Sequence, residues 1–281
     1  VTVRFSGSGP IELAADAVGR WDGPPCLLLH GGGQTRHAWG GTTRALAGAG
    51  FLALPLDQRG HGESDWAPDA DYSPDAYAAD LRSVLEQIGR PTALVGASLG
   101  GLASLLAAGE PPGTLCSALV LVDVTPRIDP GGRERIGRFM SAHSDGFTSL
   151  EEAADAVAAY LPHRPRPADV SGLARNLRLE EDGRFHWHWD PAFVTSNWPP
   201  RRHQSPERFE RAASAVDVPI LLVRGARSEV VTEESARAFL RAAPSAEYVD
   251  VADAAHMVAG DRNDVFTDAV LDFLRRRVPV D

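Results

Sequence analysis

Five short apolar runs constrain this chain more than any other feature: CLLLHG from Cys26, FLALPLD from Phe51, TALVG from Thr92, ALVLVDV from Ala118 and PILLVRG from Pro219. They are continuous rather than alternating. An alternating run suits a strand with one wet face; a continuous one suits a strand buried on both faces. Between them lie stretches with apolar residues three and four apart, such as DAYAADLRSVLEQIG, residues 75–89. Strands alternating with helices predict an α/β fold, a mostly parallel sheet covered on both faces. VTVRF and IELAADAVG supply further strand-like pieces at the start and AEYVDV one near the end, and DVFTDAVLDFLRRRV reads as a closing helix with arginines in its last turns.

Residues 126–216 break this rhythm. They hold no convincing buried strand, and contain EEAADAVAAYL, the Pro/Arg stretch LPHRPRPADV and the aromatic patch RFHWHWDPAF. The expectation is a mainly helical insertion, a cap, between two parts of one core, 1–125 and 217–281. Aromatic residues such as Trp187, Trp189 or Trp198 are expected to line or close a site beneath it.

Composition removes several chemistries. Of 281 residues, 28 are basic and all are arginine, so Schiff-base chemistry, pyridoxal-phosphate anchoring and a P-loop lysine are excluded. A formal net charge of −10 gives no electrostatic support for binding nucleic acid or an anionic membrane. Cys26 and Cys116 sit in apolar stretches and read as reduced core thiols. With no signal-like segment, a cytoplasmic location is the default. The expected partner is a small-molecule substrate, and the composition leaves room for a homodimer.

The motif with most chemical content is LVGASLGG, residues 94–101. A strand-like run leads in, a helix-like run leads out, and Gly96 and Gly100 flank Ser98 as G-x-S-x-G. Such a turn lifts a serine for attack, and N–H groups at the helix start, Leu99 first, can receive an oxyanion. A second element, His30-Gly31-Gly32-Gly33, follows an apolar strand, and Gly32 is the natural second donor.

These segments, with LPLDQRGHGESD, LVLVDVTP and VADAAHMVAGDRNDVFTDAVLDFL in the same order, resemble the α/β-hydrolase family. The resemblance covers residues 1–125 and 217–281. It implies a mostly parallel eight-stranded sheet, a Ser–acid–His triad in that chain order, an oxyanion hole and no cofactor or metal. His256 is the triad histidine, in a short loop before the last helix. His30 and His61 read as structural, His37 as a candidate pocket residue, and Asp57 and Arg59 as loop braces. His186 and His188 form an H-x-H without a third ligand, so they read as aromatic packing rather than a metal site.

Two residues compete for the acid. The family's usual position, third after Gly225, is Ser228, which cannot stabilise an imidazolium; Glu229 is its neighbour. Asp123 ends the run LVLVD, and some esterases of the family resemble this chain in carrying a working Asp there. Asp123 is favoured and Glu229 kept as the alternative.

The reaction expected is hydrolysis of a small or medium carboxylic ester, lactone or thioester through an acyl-enzyme. Carbon–carbon bond hydrolysis of the meta-cleavage-product type, and cofactor-free perhydrolysis, would use the same triad. Epoxide hydrolase and haloalkane dehalogenase chemistry would need a carboxylate where Ser98 stands. A rival of another class is a non-catalytic ligand binder on the same fold.

Overall fold

The computed structural model describes residues 1–112, 115–162, 165–197, 205–252, 254–255 and 263–280. Its strands are β1 (Thr2–Ser6), β2 (Glu12–Asp16), β3 (Val18–Gly19), β4 (Pro25–Leu29), β5 (Leu52–Leu56), β6 (Thr92–Ala97), β7 (Cys116–Val122), β8 (Leu177–Leu179), β9 (Phe185–Trp187), β10 (Ile220–Gly225) and β11 (Glu247–Val251). The principal sheet runs β1-β2-β5-β4-β6-β7-β10-β11, with the two-residue β3 also pairing β5. From β5 to β11 every neighbour is parallel; β1, β2 and β3 pair antiparallel at one side. The eight-stranded expectation holds for this path, with β3 added.

The continuous apolar runs are explained by burial on both faces. Every residue of β4, β5 and β10 is buried. Successive side chains go to opposite sides. Leu27, Leu29, Leu94, Leu119 and Leu121 pack into one core. Cys26, Leu28, Ala93, Val95, Val120 and Val122 pack into the other.

Helices α1 (Gly40–Gly48), α2 (Pro74–Ile88), α3 (Leu99–Gly109), α4 (Pro130–Ser141), α5 (Leu150–Tyr160), α6 (Pro191–Asn197), α7 (Pro206–Ala215), α8 (Glu233–Ala242) and α9 (Asn263–Arg277) complete the chain. α2 starts at Ser73, whose hydroxyl accepts the Ala76 N–H, with Pro74 at the first position; it stops at Gly89 with φ +66°. Leu46 of α1 and Phe266, Val270, Phe273 and Leu274 of α9 seal one face of the sheet. α2, α3 and α8 seal the other with Leu81, Leu85, Leu105, Leu106 and Phe239. Cys26 and Cys116 are free thiols. Among the described residues, no helix is long and apolar enough to cross a membrane.

Between β7 and β10 lie α4 to α7 and one antiparallel hairpin, β8–β9. The hairpin adds two short strands to a segment read as mainly helical; with only Leu177 buried among their six residues, neither is a buried strand. Its strands are three residues each, too short for alternation to stand out from the aromatic patch around them.

The chain leaves β4 to one side to make β5 and crosses to the other to make β6. That crossing is a topological switch point, where open α/β sheets place ligands beyond the carboxyl ends of their strands. The loops after β4, β6, β7 and β10 converge there.

Candidate active site

Ser98 follows β6 and caps α3 with φ +47° and ψ −110°, a conformation that side chains seldom adopt. Its surroundings hold it there. A Cβ on Gly96 would lie 2.5 Å from the Gly100 carbonyl oxygen, and one on Gly100 would lie 2.5 Å from the Leu29 carbonyl oxygen. Only glycine allows β6, the turn and α3 to approach so closely. The Ser98 N–H donates to the Val122 carbonyl at 3.1 Å, tying the turn to β7. The Leu99 N–H, in the first turn of α3, has no intrahelical acceptor.

The loop after β4 passes the serine: a Cβ on Gly31 would lie 3.5 Å from Ser98 Cβ. Its polar groups are allotted with care. The Gly31 N–H donates to Gln34 Oε1 at 3.0 Å, and the Gly33 N–H donates to His61 Nε2 at 3.0 Å. The Gly31 carbonyl accepts from the Gln34 N–H at 3.1 Å and lies 2.8 Å from His30 Nδ1. Between them, the Gly32 N–H engages no acceptor among the described residues. A trans peptide points its N–H opposite its C=O. Pinning the Gly31 carbonyl therefore fixes where the Gly32 N–H points.

The two acid candidates have different environments. Asp123 follows β7 with φ +46° and is 1% exposed. Its carboxylate accepts the Gly225 N–H at 3.1 Å and the Ser228 hydroxyl at 2.6 Å. Ser228 in turn accepts N–H groups from Val230 and Val231. Glu229 has a side chain 62% exposed, and it pairs with Arg135 of α4. His256 and Trp198 lie outside the described residues.

Ser98, Leu99 and the three loop glycines share a cavity of about 760 Å³, a size typical of small-molecule sites. Most of its wall is apolar. Residues 126–216 contribute Phe139, Met140, Tyr160, Trp187 and Trp189, and His37 also lines it. Trp187 and Trp189 stack with ring centroids 4.8 Å apart, and Phe139 and Tyr160 stack at 4.1 Å.

A family model described as serine aminopeptidase, S33, matches residues 25–263. The chain belongs to this α/β-hydrolase family. It is 31% identical over 277 residues to the esterase Rv0045c of Mycobacterium tuberculosis, covering 95% of this chain and 89% of that one. The solved structure of that esterase superposes with a TM-score of 0.74 at 29% identity, over 98% of this chain and 92% of the other. The solved structure of E-2-(acetamidomethylene)succinate hydrolase gives a TM-score of 0.84 at 26% identity, over 98% and 99% of the two chains. A protein of that activity from Mesorhizobium japonicum is 30% identical over 228 residues, covering 80% of this chain and 78% of its own.

In this α/β-hydrolase four other histidines have definite partners. His30 Nε2 accepts the Gln58 N–H at 3.0 Å, and the Gln58 side chain returns a bond to the His30 carbonyl at 2.6 Å. Burial pushes the pKa values of His30, His61 and His188 down to about 3, so all three rings are neutral near pH 7. Asp57 accepts N–H groups from Arg36 at 2.6 Å and Glu63 at 3.0 Å, and Arg59 pairs with Asp80 at 2.6 Å; both brace loops, as expected. His186 meets Asp182 at 3.0 Å.

Sequence reasoning missed two participants. Ser228 was set aside as unable to replace a carboxylate, yet its hydroxyl holds Asp123. His188 reads as aromatic packing; it meets Trp189 edge to face, and it also bonds the backbone of two loops of the core. Its only sequence signal is a histidine between two tryptophans, which does not identify a partner.

Proposed function

We propose that this chain is a serine hydrolase that cleaves small or medium carboxylic esters, lactones or thioesters through an acyl-enzyme on Ser98. The observation that carries the reading is Ser98 itself, held at φ +47° at the head of an apolar cavity, beside the uncommitted N–H groups of Gly32 and Leu99. Strain of this kind persists where the fold over-determines it, and a raised hydroxyl facing a cavity is a use for it.

In the first step Ser98 Oγ bonds to the carbonyl carbon and its proton passes to His256, assigned from its place in the sequence. The oxygen that becomes negative accepts from Gly32 and Leu99 N–H. Collapse expels the alcohol or thiol, which takes the proton from His256. Water then attacks the acyl carbon by the same route and frees Ser98. The acid is assigned to Asp123, because its carboxylate is buried and oriented by two donors, whereas Glu229 is engaged at the surface by Arg135. The likeness to an esterase at 31% identity supports ester as the bond cleaved. Residues 126–216 act as a cap, supported by the side chains they place on the cavity wall, Phe139, Met140, Tyr160, Trp187 and Trp189 among them.

A second reading, hydrolysis of a non-ester acyl compound (a carbon–carbon bond included) by the same groups, is favoured by the TM-score of 0.84 with E-2-(acetamidomethylene)succinate hydrolase. One experiment tests the main reading. Wild type should hydrolyse p-nitrophenyl butyrate and take a fluorophosphonate label that mass spectrometry locates on Ser98. Ser98→Ala should lose about 10³-fold or more in kcat with its circular dichroism unchanged. Equal turnover by folded Ser98→Ala would remove the serine mechanism. Dienoate or enamide turnover without ester turnover would transfer the assignment to the second reading.

A further inference from the structure

Successive peptide groups of the loop after β4 are each held by a named partner, and the last partner comes from outside the core. Gln34 holds the Gly31 N–H, His30 and Gln34 hold the Gly31 carbonyl, and His61 holds the Gly33 N–H. The Gly33 carbonyl lies 3.2 Å from Nε2 of His188, which follows β9, 155 positions along the chain. Gly33 has φ +76°, so no side chain of its own restrains it.

The proton positions follow from the remaining partners. The Gly62 N–H donates to His188 Nδ1 at 2.8 Å, so Nδ1 is an acceptor. In a neutral ring Nε2 then carries the proton and donates to the Gly33 carbonyl. His61 is arranged in the opposite sense. Its Nδ1 donates to the Arg59 carbonyl at 3.0 Å, which leaves Nε2 to accept from Gly33. The His61 and His188 rings also touch, with centroids 5.7 Å apart. The segment bearing His188 is docked at further points. The Asp190 N–H donates to the Gly60 carbonyl at 2.9 Å, Asp190 accepts from the Tyr72 hydroxyl, and a Cβ on Gly33 would lie 3.2 Å from the Trp189 ring.

We infer that His188 is a positioning residue for the hydrolysis: it clamps the Gly33 carbonyl, two peptide groups beyond the one that carries the Gly32 N–H, and so holds the far end of the loop from which that N–H is aimed at the developing oxyanion. The cap segment thereby builds part of the oxyanion hole as well as the wall of the cavity. A donor aimed at charge that appears only in the transition state lowers the barrier without tightening substrate binding. Loosening the clamp therefore costs kcat and spares KM. A purely structural histidine would show no such selectivity. The inference rests on the acyl-enzyme reading above.

The test compares His188→Leu with His188→Gln, whose amide keeps a donor within reach of the Gly33 carbonyl. His188→Leu should lose about 10- to 100-fold in kcat on p-nitrophenyl butyrate, with KM within about twofold of wild type. An alkyl trifluoromethyl ketone, which adds to Ser98 and places its oxygen in the hole, should lose affinity by the same factor. His188→Gln should stay within about threefold on both measures. If His188→Leu does not fold, His188→Asn, which keeps an acceptor for Gly62 but falls short of Gly33, takes its place in the comparison. Undiminished kcat and ketone affinity in the folded variant, or a loss confined to KM, would overturn the positioning role while leaving the hydrolase reading intact. A wild-type protein that neither turns over the ester nor binds the ketone overturns the acyl-enzyme reading, and this inference with it.

Discussion

The two glycine-rich turns of the site are neighbours in space and opposites in how they are held. At the turn around Ser98 the constraint is exclusion by backbone. Cβ atoms on Gly96 and Gly100 would come within 2.5 Å of carbonyl oxygens, which cannot step aside. In the loop after β4 the nearest atoms are ends of side chains. A Cβ on Gly32 would lie 3.2 Å from Phe193 Cζ, and one on Gly33 would lie 3.1 Å from Met140 Cε. The first turn is specified by its own few residues and the strand beside it. The second depends on His61, on His188 and Phe193, and on Met140, from three separate segments. The same division separates the acids. Asp123 is held by the next strand end, through Gly225 and Ser228, whereas Glu229 leans on Arg135 of α4.

The largest expected effect tests the two acids. Asp123→Asn should lower kcat by roughly 10³- to 10⁴-fold, because an amide favours the wrong imidazole tautomer. Glu229→Gln should cost about tenfold or less, since only a surface ion pair is lost. Both are read by ester kinetics on variants whose circular dichroism matches wild type. The reverse ranking would show that the acid is supplied from the side facing α4.

Next comes the steric contrast. Gly100→Ala drives a methyl group against the Leu29 backbone and should destabilise by about 3 kcal/mol or more, lowering Tm by roughly 10 °C. Gly32→Ala meets a ring edge that can shift by a few tenths of an ångström, and should change Tm by only about 2 °C or less. Thermal melts of the two variants decide it. Equal melting of Gly100→Ala and wild type would show that the turn has slack the packing does not suggest.

This division also explains what could be read from the sequence. LVGASLGG announces its own turn because the glycines, the serine and the strand that need one another are adjacent, and the continuous runs CLLLHG, FLALPLD and PILLVRG announce buried strands. HGGG announces a backbone-lined loop but not the partners that hold it. Those partners lie 28 and 155 positions away, and no local pattern pairs them. The Ser228 hydroxyl on Asp123 spans 105 positions and was equally out of reach. β8 and β9 were missed because three residues are too few to display a period.

The smallest expected effect concerns pH. A histidine whose folded pKa is depressed stabilises the protein above its unfolded value, near 6.5, and that contribution is lost as pH falls toward the folded value of about 3. Below pH 6.5 the unfolded chain takes up a proton on His188 that the folded chain refuses. Burial is the main cause and the neighbouring His61 adds to it; the Gly33 carbonyl and Asp57 oppose the shift. Wild type should therefore lose stability between pH 6.5 and 5.5 faster than His188→Gln, which has no titrating group at position 188. The difference for this one histidine should be about 1 kcal/mol over that interval, from a limiting slope of about 1.4 kcal/mol per pH unit. Carboxylates and the other histidines, His30 and His61 included, titrate in both proteins and cancel in the comparison. Urea denaturation at the two pH values measures it. Parallel pH slopes in wild type and variant would mean that the ring is already protonated in the folded state, and a protonated Nδ1 could not accept from Gly62.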